Sequence, residues 1–227
     1  LMGLASRLRG GMDTTQGADL DMIIRHGQAV MRRRQNALVI IDLPAGSYEA
    51  SPQQALASAR RVLDETGADG VKLEGGSDIA GHVALLAESG IAVLAHIGLL
   101  PQHVLSKSGF RITGRTAEEA AQLAADASAL SQAGVFGVVM EGIIEPVAAS
   151  IAANCSVPTI GIGASPACDG QILVTEDILG LYDAFTPKFV EKFADLQNDI
   201  GVAAAAFHKA VVSGTFPQKQ HLFWPKK

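Results

Sequence analysis

The sequence predicts an α/β fold, a (β/α)8 barrel, and three observations carry that expectation. From residue 37 onward, apolar runs rich in β-branched residues alternate with alanine-rich helical segments. The runs are apolar on both faces, as strands of a parallel sheet covered by helices must be. The chain also lacks a glycine-rich dinucleotide fingerprint, which favours a barrel over a doubly wound sheet.

The elements follow in order. A first strand is expected within ALVIIDLP (37–44), then a helix in SPQQALASARRVLDETG, where Ser51 is placed to cap and Pro52 to open the first turn. GVKLEGG (70–76) is the second strand and SDIAGHVALLAESG the next helix. IAVLAHIGL (91–99), GVFGVVMEGI (134–143) and VPTIGIGA (157–164) are further strands, separated by TAEEAAQLAADASALSQAG and EPVAASIAANCS. GIGA (161–164) comes nearest to a phosphate loop, but small residues at a strand end also serve packing. After residue 176 the pattern changes. PKFVEKFADLQNDIGVAAAAFHKAVVSG has the three-and-four spacing of a helix, and TFPQKQHLFWPKK reads as an irregular tail. The expected organisation is one barrel domain over 1–227, with 187–227 forming C-terminal helices and a tail that packs on the barrel or on a neighbouring subunit.

Composition narrows the function classes. With 227 residues, 48% hydrophobic and 18% charged, the chain can bury a sizeable core. A net charge of −5 argues against nucleic-acid or anionic-membrane binding. Arg32, Arg33 and Arg34 are expected on the solvated face of an amphipathic helix. Cys155 and Cys168 form neither a disulfide framework nor a metal motif, so the expected compartment is the cytoplasm. No apolar run reaches the roughly 18–20 residues that span a bilayer.

The informative residues are charged and stand at strand ends. Asp42 ends the first run, Lys72 and Glu74 the second, His96 the third, and Glu141 the fourth, each just before a glycine or proline turn. In parallel barrels the chemistry gathers at that end. Lys72 with Glu74 could also be a rim ion pair, and His96 a satisfied core histidine. Repeated burial of charge is costly without a ligand or metal to pair with, however. Carboxylates without cysteine suit a hard cation such as Mg²⁺, with Asp42 and Glu74 as its oxygen ligands. Such an ion would leave positions for a bidentate 2-oxo acid and stabilise its enolate, while a carboxylate across the site takes the proton.

The motifs DLP (42–44), VKLEGG (71–76), HIGLLPQ (96–102), ITGRTAEEA (112–120), VVMEG (138–142), VPTIGIGA (157–164), DGQILV (169–174) and PKFVEKF (187–193) resemble, in order and spacing, those of ketopantoate hydroxymethyltransferases. These are members of the phosphoenolpyruvate mutase/isocitrate lyase-like barrels. The resemblance covers about residues 13 to 224. It implies transfer of a one-carbon unit from 5,10-methylenetetrahydrofolate to 3-methyl-2-oxobutanoate, giving 2-dehydropantoate for pantothenate biosynthesis. It further implies Mg²⁺ on Asp42 and Glu74, oxo-acid contacts from Asp42 and Lys72, Glu141 as proton acceptor, His96 lining the pocket, and a homo-oligomer, a decamer.

The resemblance also implies two departures. Family members open with two strands, the second ending in Gly-Asp-Ser, whose Asp binds metal. Aligned back from Asp13-Thr14-Thr15, Gly3 and Leu4 stand at the Asp and Ser positions, so the first two barrel strands are expected to be missing from this chain. Glu176 stands where many relatives have histidine. Two other readings stay open. One is a related Mg²⁺-dependent lyase cleaving a carbon–carbon bond of a 2-oxo or 2-hydroxy acid, although Cys155 and Cys168 do not match its cysteine lid motif. The other is a catalytically degenerate barrel that serves as an oligomer subunit or binding module.

Overall fold

A computed structural model describes residues 17–103, 111–182 and 186–225. Gly3, Leu4 and Asp13 to Thr15, on which the expectation about the amino terminus rests, lie outside the described residues. The chain divides into two compact units, Leu1–Val174 and Thr175–Lys227.

The first unit is built on a six-stranded, fully parallel sheet in the order of the chain, curled as half a barrel. Its elements are α1 (Leu20–Met31), β1 (Ile40–Asp42), α2 (Pro52–Thr66), β2 (Gly70–Glu74), α3 (Ala80–Glu88), β3 (Val93–Gly98), α4 (Ala117–Gln132), β4 (Gly137–Glu141), α5 (Glu145–Asn154), β5 (Thr159–Ile162) and β6 (Gly170–Gln171). The helices start where local chemistry lets them. Ser51 accepts from the Gln54 amide and Thr116 from the Glu119 amide, satisfying donors that the first helical turn leaves open. At the far end of α2, Gly67 stops the helix in a left-handed conformation. The arginine cluster departs from its expected place. α1 ends at Met31, Arg32 is its C-cap, and Arg33 and Arg34 lie beyond it. Arg34 pairs with Asp69 at 2.5 Å, so the cluster is exposed but not on a helix face.

Alternation along the strands sorts the side chains into two sets. Ile41, Val71, Leu73, Val93, Ala95, Ile97, Val138 and Met140 join one apolar cluster with Ala55, Val62, Val83, Leu86, Leu123, Leu130 and Ile151 of the helices. The opposite parity carries Asp42, Lys72, Glu74, Leu94, His96, Val139 and Glu141. The parallel register aligns Asp42 with Lys72, Lys72 with Leu94, Glu74 with His96, and His96 with Val139. Helix-facing positions therefore supply the core, and the other face collects the charges.

The second unit holds α6 (Thr175–Ile178) and α7 (Leu196–Val212). The helix expected from residue 187 begins only at Leu196, and its competitor is visible. The amides of Phe193, Leu196 and Gln197 donate to the carbonyls of Ile178, Leu179 and Gly180 instead of closing helical turns. Along α7, Ile200, Val202, Phe207, Val211 and Val212 are exposed, as are Phe223 and Trp224 in the tail. No helix of the described residues is long and apolar enough to cross a membrane.

Candidate active site

All five charged strand-end residues come together. Asp42, Lys72, Glu74, His96 and Glu141 are each 5% exposed or less. The Lys72 Nζ lies 2.7 Å from Asp42 Oδ2 and 3.3 Å from Glu74 Oε1. His96 continues the chain of contacts, with Nδ1 3.7 Å from Glu74 Oε1 and Nε2 3.3 Å from Glu141 Oε2. A single run of contacts thus links β1, β2, β3 and β4. It is neither a rim pair nor an isolated core histidine.

The electrostatics follow from burial. Desolvation pulls the Lys72 ammonium down, but Asp42 and Glu74, each also hydrogen-bonded to it, outweigh that and hold it above the ordinary lysine value. Burial raises Glu74 above the usual carboxylate range; Lys72 opposes the shift and Asp42 adds to it. The pocket therefore keeps one firm positive charge among three carboxyl groups.

Two residues that sequence reasoning did not single out hold Glu74 in place. Gln102 donates its backbone N–H to Glu74 Oε2 at 3.0 Å, and its side-chain amide donates to the Leu43 carbonyl at 3.1 Å. The Tyr48 hydroxyl donates to the Glu74 carbonyl at 2.9 Å and accepts from the Glu74 amide at 3.2 Å. The signal in sequence was faint: Tyr48 is one of two tyrosines, and Gln102 falls within the quoted HIGLLPQ.

Glycine is required at one strand end. Gly98 has φ +95°, and a Cβ there would lie 2.3 Å from the Glu141 carbonyl oxygen. That same oxygen accepts from the Leu99 amide at 2.8 Å, tying the ends of β3 and β4 together. Gly98→Ala should therefore cost roughly 1–3 kcal/mol of stability and shift the peptide that carries Glu141. A thermal melt alongside a turnover assay checks this, and parental values for both would refute it.

The donor chemistry here fits a hard cation. Asp42 and Glu74 offer carboxylate oxygens, and Asp42 Oδ1 is buried with no hydrogen-bond partner among the described residues. No group of three His, Cys, Asp or Glu placed to hold a metal occurs among the described residues. Asp42 and Glu74 are the carboxylate ligands that the described residues would offer such an ion.

With the geometry established, comparison with known proteins is decisive. The family model for ketopantoate hydroxymethyltransferase matches residues 5–219. The chain belongs to the ketopantoate hydroxymethyltransferase family. It is accordingly an enzyme, a hydroxymethyltransferase. Proteins named 3-methyl-2-oxobutanoate hydroxymethyltransferase are similar over most of their length. That of Rhizobium rhizogenes is 51% identical over 96% of this chain and 80% of its own. That of Mesorhizobium japonicum is 55% identical over 94% of this chain and 74% of its own. A solved structure described as a phosphonomutase, from Burkholderia cenocepacia, superposes with a TM-score of 0.52 at 15% identity, covering 68% of this chain and 64% of that one. That likeness speaks to the fold alone.

Proposed function

We propose that this hydroxymethyltransferase transfers a hydroxymethyl group from 5,10-methylenetetrahydrofolate to 3-methyl-2-oxobutanoate, giving 2-dehydropantoate. The observation that carries the reading is the buried contact run from Asp42 through Lys72, Glu74 and His96 to Glu141, in a chain of this family. Asp42 and Glu74 would hold Mg²⁺, which supplies positive charge where an enolate develops.

The remaining work falls to the chain's own groups. Lys72 and Asp42 engage the oxo acid, and the ammonium of Lys72 is drawn more strongly to it as negative charge builds up. Glu141, on a different strand from the proposed ligands, removes the proton from C3. Water releases the one-carbon unit of the folate as formaldehyde, breaking both C–N bonds and leaving tetrahydrofolate. The carbanion attacks that carbonyl carbon to form the new carbon–carbon bond, and the alkoxide oxygen takes up a proton to complete the hydroxymethyl group. His96, between Glu74 and Glu141, holds the base in line with the rest of the pocket.

The six strands are read as part of a closed (β/α)8 barrel in a single domain, with residues 187–227 as its C-terminal helices and tail. Among the described residues β1 and β6 are each paired on one side only. The exposed apolar side chains of α7 support a homo-oligomer, a decamer by family likeness, and the free Cys155 and Cys168 suit a reducing cytoplasm. No nucleic-acid or membrane partner is proposed.

The test is direct. Incubated with both substrates and Mg²⁺, the protein should form 2-dehydropantoate, followed by mass spectrometry. Cleavage of a 2-hydroxy acid without any transfer would replace this reading with the lyase. The metal is tested separately: exhaustive chelation should stop turnover and Mg²⁺ restore it. Asp42→Ala should lower turnover by about two orders of magnitude, the scale of losing several kcal/mol of charge stabilisation. Turnover that survives either treatment would remove the metal from the proposal.

A further inference from the structure

Strand β1 is too short to finish its neighbour. It ends at Asp42, and the last backbone bond of this edge runs from the Leu43 amide to the Lys72 carbonyl at 3.0 Å. Pro44 then brings no N–H with which to continue the ladder. The Leu43 carbonyl turns to the Gln102 side chain. On this side of β2 the peptide groups of Glu74 thus run past the end of β1, in a buried site where an unpaired amide or carbonyl is costly.

The Tyr48 hydroxyl fills that place. It donates to the Glu74 carbonyl and accepts from the Glu74 amide, as a neighbouring strand would. Its ring is fully buried. The loop that presents it is itself tied down. The Ser47 amide donates to the Pro44 carbonyl, the Ser58 hydroxyl to the Ser47 carbonyl, and the Tyr48 amide to Glu49 Oε2.

We propose that Tyr48 is a positioning residue: its hydroxyl stands in for a missing stretch of β1 and fixes the peptide units on either side of Glu74, so that the carboxylate faces Lys72 and His96. The inference rests on the reaction proposed above, in which Glu74 is a working group. Tyr48 itself touches no reacting atom in that scheme.

Two measurements test it. In the parent protein the Glu74 amide should be protected from hydrogen exchange like the middle of β2. Exchange as fast as an exposed loop amide would overturn the proposal. Tyr48→Phe keeps the ring and removes only the hydroxyl. It should speed exchange at Glu74, weaken Mg²⁺ binding about tenfold and lower kcat at least tenfold, measured on folded protein at low temperature. Val83→Ala, a core truncation in α3, provides the stability control. It should lower Tm comparably while kcat and Mg²⁺ affinity stay within twofold. If Tyr48→Phe behaves as Val83→Ala does, Tyr48 is only packing and the proposal falls. A parent that shows no transfer sinks the proposed reaction instead, and the exchange arm still decides the clamp. Should Tyr48→Phe fail to fold, parental exchange at Glu74 remains decisive.

Discussion

Glu141→Gln should leave the protein folded and able to bind Mg²⁺ and 3-methyl-2-oxobutanoate, yet lower exchange of the C3 proton with deuterated solvent by about 10²–10⁴-fold. That is the scale on which a positioned general base contributes. The substitution preserves size and hydrogen bonding but has no basic oxygen to receive the proton. NMR follows the exchange without folate, which separates proton removal from the later transfer. Glu141 lies on β4 and meets the proposed ligand Glu74 through His96, so the isosteric glutamine, which keeps a partner for His96, should leave the proposed metal ligands in place. Should the glutamine variant exchange as fast as the parent, Glu141 is not the base. His96, whose Nε2 lies 3.3 Å from it, would then be next in line.

Lys72→Ala should damage both stability and activity, for one reason. The ammonium lies within hydrogen-bonding reach of two buried carboxylates, and deleting it leaves both without their cation. Breaking a buried pair from one side costs roughly 3–5 kcal/mol, which for a chain of this size corresponds to a fall in Tm of about 10 °C. Turnover should fall and KM for the oxo acid rise, because the lost contact strengthens as charge develops. The pH dependence has a definite sign. In the parent, Lys72 is held above its ordinary value, so its contribution is whole below that value and is lost only as pH rises through the higher one. In the variant, Glu74, which burial already raises, can escape its unpaired charge by taking up a proton. The stability deficit should therefore narrow as pH falls through the carboxylate range, and Mg²⁺ should narrow it at neutral pH. A loss of Tm with unchanged kinetics would mean that Lys72 serves the fold alone.

The charged residues of this site were legible because strand geometry is local. A carboxylate, lysine or histidine placed just before a glycine or proline, after several apolar residues, announces a strand end, and alternation assigns its face. Their register across strands depends on the sheet and could only be expected. Tyr48 and Gln102 escaped notice because their roles belong to loops. Nothing in SYEAS says that the ring folds back under a strand 26 positions later. β6 was missed because two residues, Gly170 and Gln171, are too few to show alternation. The overlong helix from 187 failed through competition. Its apolar spacing is real, but the carbonyls of 178–180 claim amides that the helix needed.

The even spacing of Lys72 and Glu74, set level with Asp42 and His96, has a genetic consequence. What puts these groups on one side is counting, since each step of about 3.3 Å along a strand reverses the side chain. Neighbours such as Leu73 can be exchanged for other apolar residues by single base changes, and the count is untouched. Loss of one codon between Asp69 and Lys72 would instead present apolar side chains to the pocket and drive a lysine and a glutamate against the helices. For this stretch of the gene, in-frame deletions should be far rarer among functional copies than missense changes. Exposed residues 35–37, between α1 and β1 and outside the counted segments, should accept both.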